Sequence, residues 1–223
     1  MAFGSFALAA STASLAEEPA ARAHADLVEF RMDLAVGPLS ALEDYDGELP
    51  VLATNRVRWE GGEAPDDPAR LDALEAAVGY DAVTAVDVEL RSIRAGDGER
   101  VVECARDHEV TVVASVHDFE GTPDRETMRE VLSDAVGVAD VGKLAVTATD
   151  RGDVLDLLAV THELDSRGDA VATMAMGAVG RHSRAVAPLY GSRIGYAPVD
   201  PANATAPGQY DLATLADLLD RLR

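Results

Sequence analysis

The chain reads as one (β/α)8 barrel over residues 1–223, and three observations point there. Eight short apolar runs rich in Val and Ala alternate with longer amphipathic stretches along the whole sequence. The unit recurs about every 28 residues, the length of one βα pair, so successive strands run parallel with a helix between them. No G-x-G-x-x-G follows the first run, which weakens the rival open, doubly wound sheet and leaves eight units to close on themselves.

Taken in order, the first strand is predicted over residues 6–11 and the first helix over 13–24. A second strand, 27–32, precedes a short helix over 39–45, with Gly37 at the turn. The third unit pairs strand 50–56 with helix 68–78, which Gly79 ends; the fourth pairs strand 82–90 with helix 99–107. Strand 110–117 leads to a helix over 124–136 that Thr122, Pro123 and Asp124 open with a capping side chain and an early Pro. Strand 139–146 leads to a helix over 150–166, where Asp150 offers the cap and Gly168 the exit turn. Strand 170–176 with helix 183–189 and strand 193–197 with helix 212–222 complete the eight.

Composition narrows the function. Nineteen basic residues face 40 acidic ones, so the chain carries 19 − 40 = −21 and no basic run. Binding to nucleic acid or to an anionic membrane surface is excluded on electrostatic grounds. The basic residues are 18 Arg and one Lys, Lys143. Abundant carboxylates with almost no lysine is the surface of a protein working at molar salt, and the chain reads as halophilic. A lysine that survives such a bias is held by chemistry that a permanently protonated guanidinium cannot perform. Cys104 is alone, which removes intrachain disulfides and cysteine-based zinc clusters. The first 19 residues imitate a signal peptide only faintly, lacking a positive start and a long apolar core. No run approaches the roughly 20 apolar residues that span a bilayer. A cytoplasmic protein is expected.

Alternate residues of a strand share a face, and a barrel's site lies at the C-terminal ends of its strands. Glu29 and Arg31, Thr54 and Arg56, Asp87 and Glu89, and Ser115 and His117 form such pairs at the downstream ends of apolar runs; Lys143 shares its face with Val141 and Ala145. Five strands converging in this way predict a polar active site. The set holds no Cys cluster and no histidine pair at ligand spacing, so a bound metal is not expected. Amine chemistry fits better: Lys143 attacks a carbonyl carbon to form a Schiff base, His117 moves the neighbouring proton, and an acid such as Glu60 orients the imidazole. A strand-end ion pair of Lys143 with Glu29 or Asp87 is the alternative. His24, His108 and His162 read as solvated helix residues; His182, beside Arg181 and Arg184, suits anion binding and plain exposure equally. Met174 and Met176 read as core, with Met176 close enough to the strand end to line the site.

These residues fall in motifs: E-F-R-M-D at 29–33, R-V-R-W-E-G-G at 56–62, D-V-E-L at 87–90, S-V-H-D-F at 115–119 and G-K-L-A-V at 142–146. M-G-A-V-G-R-H-S-R at 176–184, G-S-R-I-G-Y-A at 191–197 and A-P-G-Q at 206–209 follow. Their order and spacing, over nearly the whole chain, resemble the type I 3-dehydroquinate dehydratases of the shikimate pathway. The resemblance implies a (β/α)8 barrel without metal or organic cofactor that dehydrates 3-dehydroquinate to 3-dehydroshikimate. It implies Lys143 as the Schiff-base lysine, His117 as general acid and base, Glu60 as its carboxylate partner and Asp87 as a supporting acid. Glu29, Arg31, Arg56, Arg184 and Gln209 match substrate-contacting positions, with Arg184 suited to the substrate carboxylate. Thr205 stands where the family often has Ser, and Ser11 corresponds loosely to a Ser near the first strand's end. Homodimers are common in the family, and the N-terminal hairpin of longer members is not expected here. Another Schiff-base barrel such as a class I aldolase would share Lys143 without the Arg184 and Gln209 grip; a non-catalytic barrel that binds small anions would share neither imine nor turnover.

Overall fold

The computed structural model describes residues 3–200, 202 and 208–222. Eight parallel strands, β1 (Ala7–Thr12), β2 (Leu27–Arg31), β3 (Val51–Thr54), β4 (Val83–Glu89), β5 (Thr111–His117), β6 (Val141–Thr147), β7 (Val171–Met176) and β8 (Ile194–Pro198), form one sheet. Its order is β7-β6-β5-β4-β3-β2-β1-β8. The sheet curls until β8 meets β7, where Arg193 N–H donates to Val171 O at 2.7 Å and Thr173 N–H donates to Ser192 Oγ at 2.9 Å. The barrel is thus nearly closed, as the βα alternation predicts. The helices are α1 (Glu18–Ala21), α2 (Pro38–Glu43), α3 (Pro68–Val78), α4 (Leu90–Arg94), α5 (Glu99–Asp107), α6 (Arg125–Val136), α7 (Arg151–Ser166), α8 (Gly177–Gly180), α9 (Ser183–Val186) and α10 (Leu212–Leu222).

Pleat alternation sorts each strand into two faces. Outward residues such as Val28, Phe30, Val51, Val86 and Val112 pack with Leu71 and Leu74 of α3 and Val101 of α5. Inward residues change character along the barrel axis. Leu27, Leu52, Ala85, Val113, Val141, Ala172 and Ile194 form an apolar layer that Phe3 joins. Two residues further along each strand stand Glu29, Thr54, Asp87, Ser115, Lys143, Met174 and Tyr196. The apolar layer excludes water from below, and the polar layer above it is the floor of the site.

Three expected elements differ for physical reasons. The predicted helix over 13–24 is a 3-10 turn, Leu15–Glu17, followed by the single-turn α1. Thr12 Oγ1 bonds the backbone of Ser14 and keeps it extended, and Pro19, lacking an N–H, fits only a helix start. The predicted strand over 50–56 stops at Thr54. Asn55 turns out of the ladder to donate to Arg70 O at 3.0 Å, and Val57 pairs with Ala64 instead. The predicted helix over 183–189 is split by Pro188 into α9 and a 3-10 turn, Ala187–Tyr190. The one-turn helices α4 and α8 are too short to show a period in sequence.

Lys143 is buried, so every cationic lysine or arginine on the surface is an arginine. An excess of 21 negative charges over 223 residues repels itself in dilute buffer, where the Debye length is about 10 Å at 0.1 M against about 3 Å at 1 M. The unfolding midpoint is therefore expected to rise steeply between about 0.1 M and about 3 M KCl in thermal melts followed by circular dichroism. Equal midpoints across that range would show that the acidic surface has another cause.

Candidate active site

Lys143 projects from β6 into the barrel mouth. Gly142 before it lets α6 close on the strand, since a Cβ there would lie 3.0 Å from Leu132 O. The ammonium donates to Asp87 Oδ2 at 3.1 Å and sits 4.4 Å from the centroid of the Tyr196 ring. The ion pair with Asp87 therefore exists, and it is buried in the barrel interior rather than placed at a solvated strand end. Tyr196 is pushed well above the ordinary tyrosine range by burial and by the Asp87 and Glu29 carboxylates, so its phenol keeps its proton.

Arg56 is the hub beneath this pair. Its guanidinium reaches Asp87 Oδ1 at 2.6 Å, Ser115 Oγ at 2.7 Å, Glu60 Oε2 at 3.0 Å and Glu89 Oε1 at 3.1 Å. Burial opposes its charge, yet Asp87, Glu89 and Glu60 together drive its pKa well above the usual value. Burial alone would likewise raise Asp87, but Arg56, Lys143 and the Ser115 hydroxyl hold its carboxyl far below the normal carboxylate range. Asp87 remains ionised and anchors both cations. It does not line the cavity itself.

His117 ends β5, and its Nδ1 lies 3.2 Å from Glu60 Oε2. The turn after β3 makes that reach possible. Gly61 follows Glu60 at φ 79°, and a Cβ on Gly62 would fall 1.9 Å from Arg56 O, so E-G-G is the tight return that presents the carboxylate. Phe119 stacks on His117 with ring centroids 6.0 Å apart and planes 12° from parallel. Burial, reinforced by Arg56 and Lys143, lowers the His117 pKa well below the ordinary histidine value. Burial also pushes Glu60 up to about 8. Both shifts favour uncharged partners, which suits a histidine waiting to accept a proton. The other four histidines are exposed; His24 and His108 lie in turns just beyond α1 and α5 rather than within helices.

In the same polar layer, Glu29 accepts from Ser11 Oγ at 2.5 Å and Thr54 Oγ1 at 3.2 Å. Ser11 thus supports Glu29 and does not line the cavity. Arg31 is clamped by Asp33 through bonds of 2.8 and 2.7 Å. Arg184, on α9, is the exception to this pairing. It is buried, yet its Nε and Nη2 have no hydrogen-bond partner among the described residues, and burial alone lowers its pKa to about 10. A buried guanidinium without a carboxylate is costly and is a ready receptor for an anionic ligand. Arg184, Gln209 and both Met174 and Met176 line the same cavity as Lys143 and His117. Thr205 lies outside the described residues.

Of the residues predicted from sequence, Lys143, His117, Glu60, Glu29, Arg31, Arg56, Arg184, Gln209 and Met176 meet at one cavity. Sequence reasoning singled out Glu89 but not Tyr196, Phe119, Met174 or Arg70 as parts of the site. Tyr196 and Met174 stand at inward positions of their strands, so alternation could have found them. Arg70 carries no such signal.

A family model described as type I 3-dehydroquinase matches residues 7–223. The 3-dehydroquinate dehydratase of Haloarcula marismortui is 59% identical, over 100% of this chain and 99% of the relative. That of Halobacterium salinarum is 54% identical over 100% of both. The crystal structure of the Geobacillus kaustophilus 3-dehydroquinate dehydratase superposes with a TM-score of 0.87 at 29% identity, over 98% of this chain and 91% of that one. The type I 3-dehydroquinate dehydratase of Clostridium difficile, carrying covalently modified comenic acid, also superposes with a TM-score of 0.87, at 27% identity over 98% of this chain and 92% of that one.

Proposed function

Since the chain belongs to the type I 3-dehydroquinase family, we propose that Lys143 forms the imine through which it dehydrates 3-dehydroquinate to 3-dehydroshikimate. The observation that carries this assignment is the chain's one lysine, buried in a cavity that also holds His117 and Arg184, whose Nε and Nη2 have no partner among the described residues. The Lys143 amine adds to the C3 carbonyl and water leaves. Nδ1 of His117 faces Glu60 Oε2, and in the tautomer with its proton on Nδ1 the Nε2 lone pair is offered to the proton on C2. The resulting enamine expels the C1 hydroxyl, which departs as water with the proton that His117 returns. Hydrolysis of the imine then frees the product and restores Lys143. The imine is the electron sink, and one histidine serves as base and then as acid.

Arg184 and Gln209 grip the substrate carboxylate, while Glu29, Arg31 and Arg56 contact the ring hydroxyls and carbonyl oxygen. Met176 covers the ring. Incubation with 3-dehydroquinate is expected to produce the ultraviolet absorbance of the conjugated enone. Arg184→Ala removes a charge-assisted, bidentate contact and is expected to raise KM by about tenfold to a hundredfold with a smaller effect on kcat. If both KM and turnover stay unchanged in that variant, Arg184 does not hold the carboxylate.

A further inference from the structure

The charge network beneath the site does not end at the barrel wall. Arg70 stands in the first turn of α3, where Asp67 caps the helix by accepting from Arg70 N–H, and it does not line the active-site cavity. Its side chain is 1% exposed. Arg70 Nη1 donates to Glu89 Oε2 at 2.7 Å and to Asn55 O at 3.2 Å, and Nη2 donates to Ser92 Oγ at 3.0 Å. In return Asn55 Nδ2 donates to Arg70 O at 3.0 Å. The other oxygen of Glu89 accepts from Val57 N–H at 3.1 Å and lies 3.1 Å from Arg56 Nη1.

We propose that Arg70 is a positioning residue for the dehydration: by clamping Glu89 it fixes Arg56 and the turn from Val57 to Gly61, and so sets Glu60 against His117. Three buried carboxylates, Glu60, Asp87 and Glu89, meet three buried cations, Arg56, Arg70 and Lys143. Without Arg70, Glu89 is left with Arg56 as its sole cation, and a carboxylate stripped of one of two partners in a dry interior draws the remaining guanidinium toward itself. Arg56 then moves away from Glu60, and Val57, whose N–H shares the same carboxylate, moves with it. Glu60 follows three residues later, on a turn with no slack because Gly62 already touches the Arg56 carbonyl. Lys143 stays tied to Asp87 Oδ2, an oxygen that this chain of contacts does not use. Loss of Arg70 therefore separates the two chemical steps: imine formation persists while proton transfer slows.

This inference rests on the imine reading above, and the two are tested together on the full chain in high salt. Arg70→Met is expected to lower kcat by about 10²-fold, the effect of misplacing a catalytic group by about 1 Å. KM should change by less than about tenfold, since Arg56 is one of several substrate contacts, and borohydride with 3-dehydroquinate should still trap the adduct on Lys143, because imine formation does not depend on Glu60. Arg70→Lys, which keeps a cation at Glu89, should recover most of the lost kcat. Wild-type kcat in folded Arg70→Met, or a parallel fall of kcat and of adduct formation, overturns the proposal. If Arg70→Met does not fold, Glu89→Gln serves in its place: it keeps an acceptor for Val57 N–H but lacks the charge that holds Arg56, and unchanged kcat there overturns the proposal equally. Absence of any adduct in the unaltered protein would instead count against the imine.

Discussion

Lys143→Arg is expected to reduce turnover of 3-dehydroquinate below detection while leaving the protein folded. Arginine keeps the positive charge that Asp87 requires at 3.1 Å, so the buried carboxylate is not stranded and the barrel retains its electrostatic balance. Its guanidinium is effectively always protonated, however, and has no lone pair for a carbonyl carbon. Stability and chemistry therefore come apart in this variant. The complementary experiment uses the unaltered protein: borohydride added with substrate reduces the imine to a stable amine. Because Lys143 is the only lysine of the chain, an increase in intact mass can be assigned against a single competitor, the N-terminal amine. No increase after reduction, or substantial turnover by Lys143→Arg, would sink the covalent mechanism.

The second large effect is expected at His117. Removing the imidazole leaves Lys143 and its Asp87 partner in place, so His117→Ala should still form the imine. Turnover should fall by about 10²–10⁴-fold, the usual contribution of a positioned acid–base group. The pH dependence adds a check on the same residue. Burial, then Arg56 and Lys143, lower its pKa below the ordinary histidine value. A base acts in its unprotonated form, and a lowered pKa keeps it unprotonated further into acid. The acid limb of kcat/KM is therefore expected below about pH 6.5, the value of a free imidazole. That limb should vanish from the residual activity of His117→Ala. Near-wild-type turnover in the variant would place proton transfer on another group.

Local signals in the sequence were strong enough to place the elements and even the rim of the site. The helices at 68–78, 99–107 and 212–222 match α3, α5 and α10 residue for residue. The Asp67 cap of α3 and the apolar faces of α5 and α10 are each encoded within a few residues. The strands agree to within two residues at either end, and strand alternation alone gathered Glu29, Arg31, Thr54, Arg56, Asp87, Glu89, Ser115 and His117 at one end of the barrel. Of the elements that differ, two turn on local features, the Thr12–Ser14 contact with Pro19 and the ring of Pro188, and in the third a contact distant in sequence decides the backbone. Strand β3 stops at Thr54 because Asn55 finds Arg70, 15 residues on. No window around residue 55 contains that information.

The sequence by itself determined the class of fold, the identity of the lysine and its histidine, and the end of the barrel where they meet, because pleat and helix periods are properties of the covalent chain. Only the tertiary structure decided how the charges are shared. Arg56 is joined to Ser115 across 59 residues and to Asp87 across 31, and Arg70, which carried no sequence signal, proves to be part of that network. Arg184 shows the converse. In sequence it is one of 18 arginines, and only the closed barrel buries it where its Nε and Nη2 find no partner among the described residues. The cost of burying a charge depends on what lies within a few ångströms in space. Pairing and pKa direction therefore first become defined when the sheet closes.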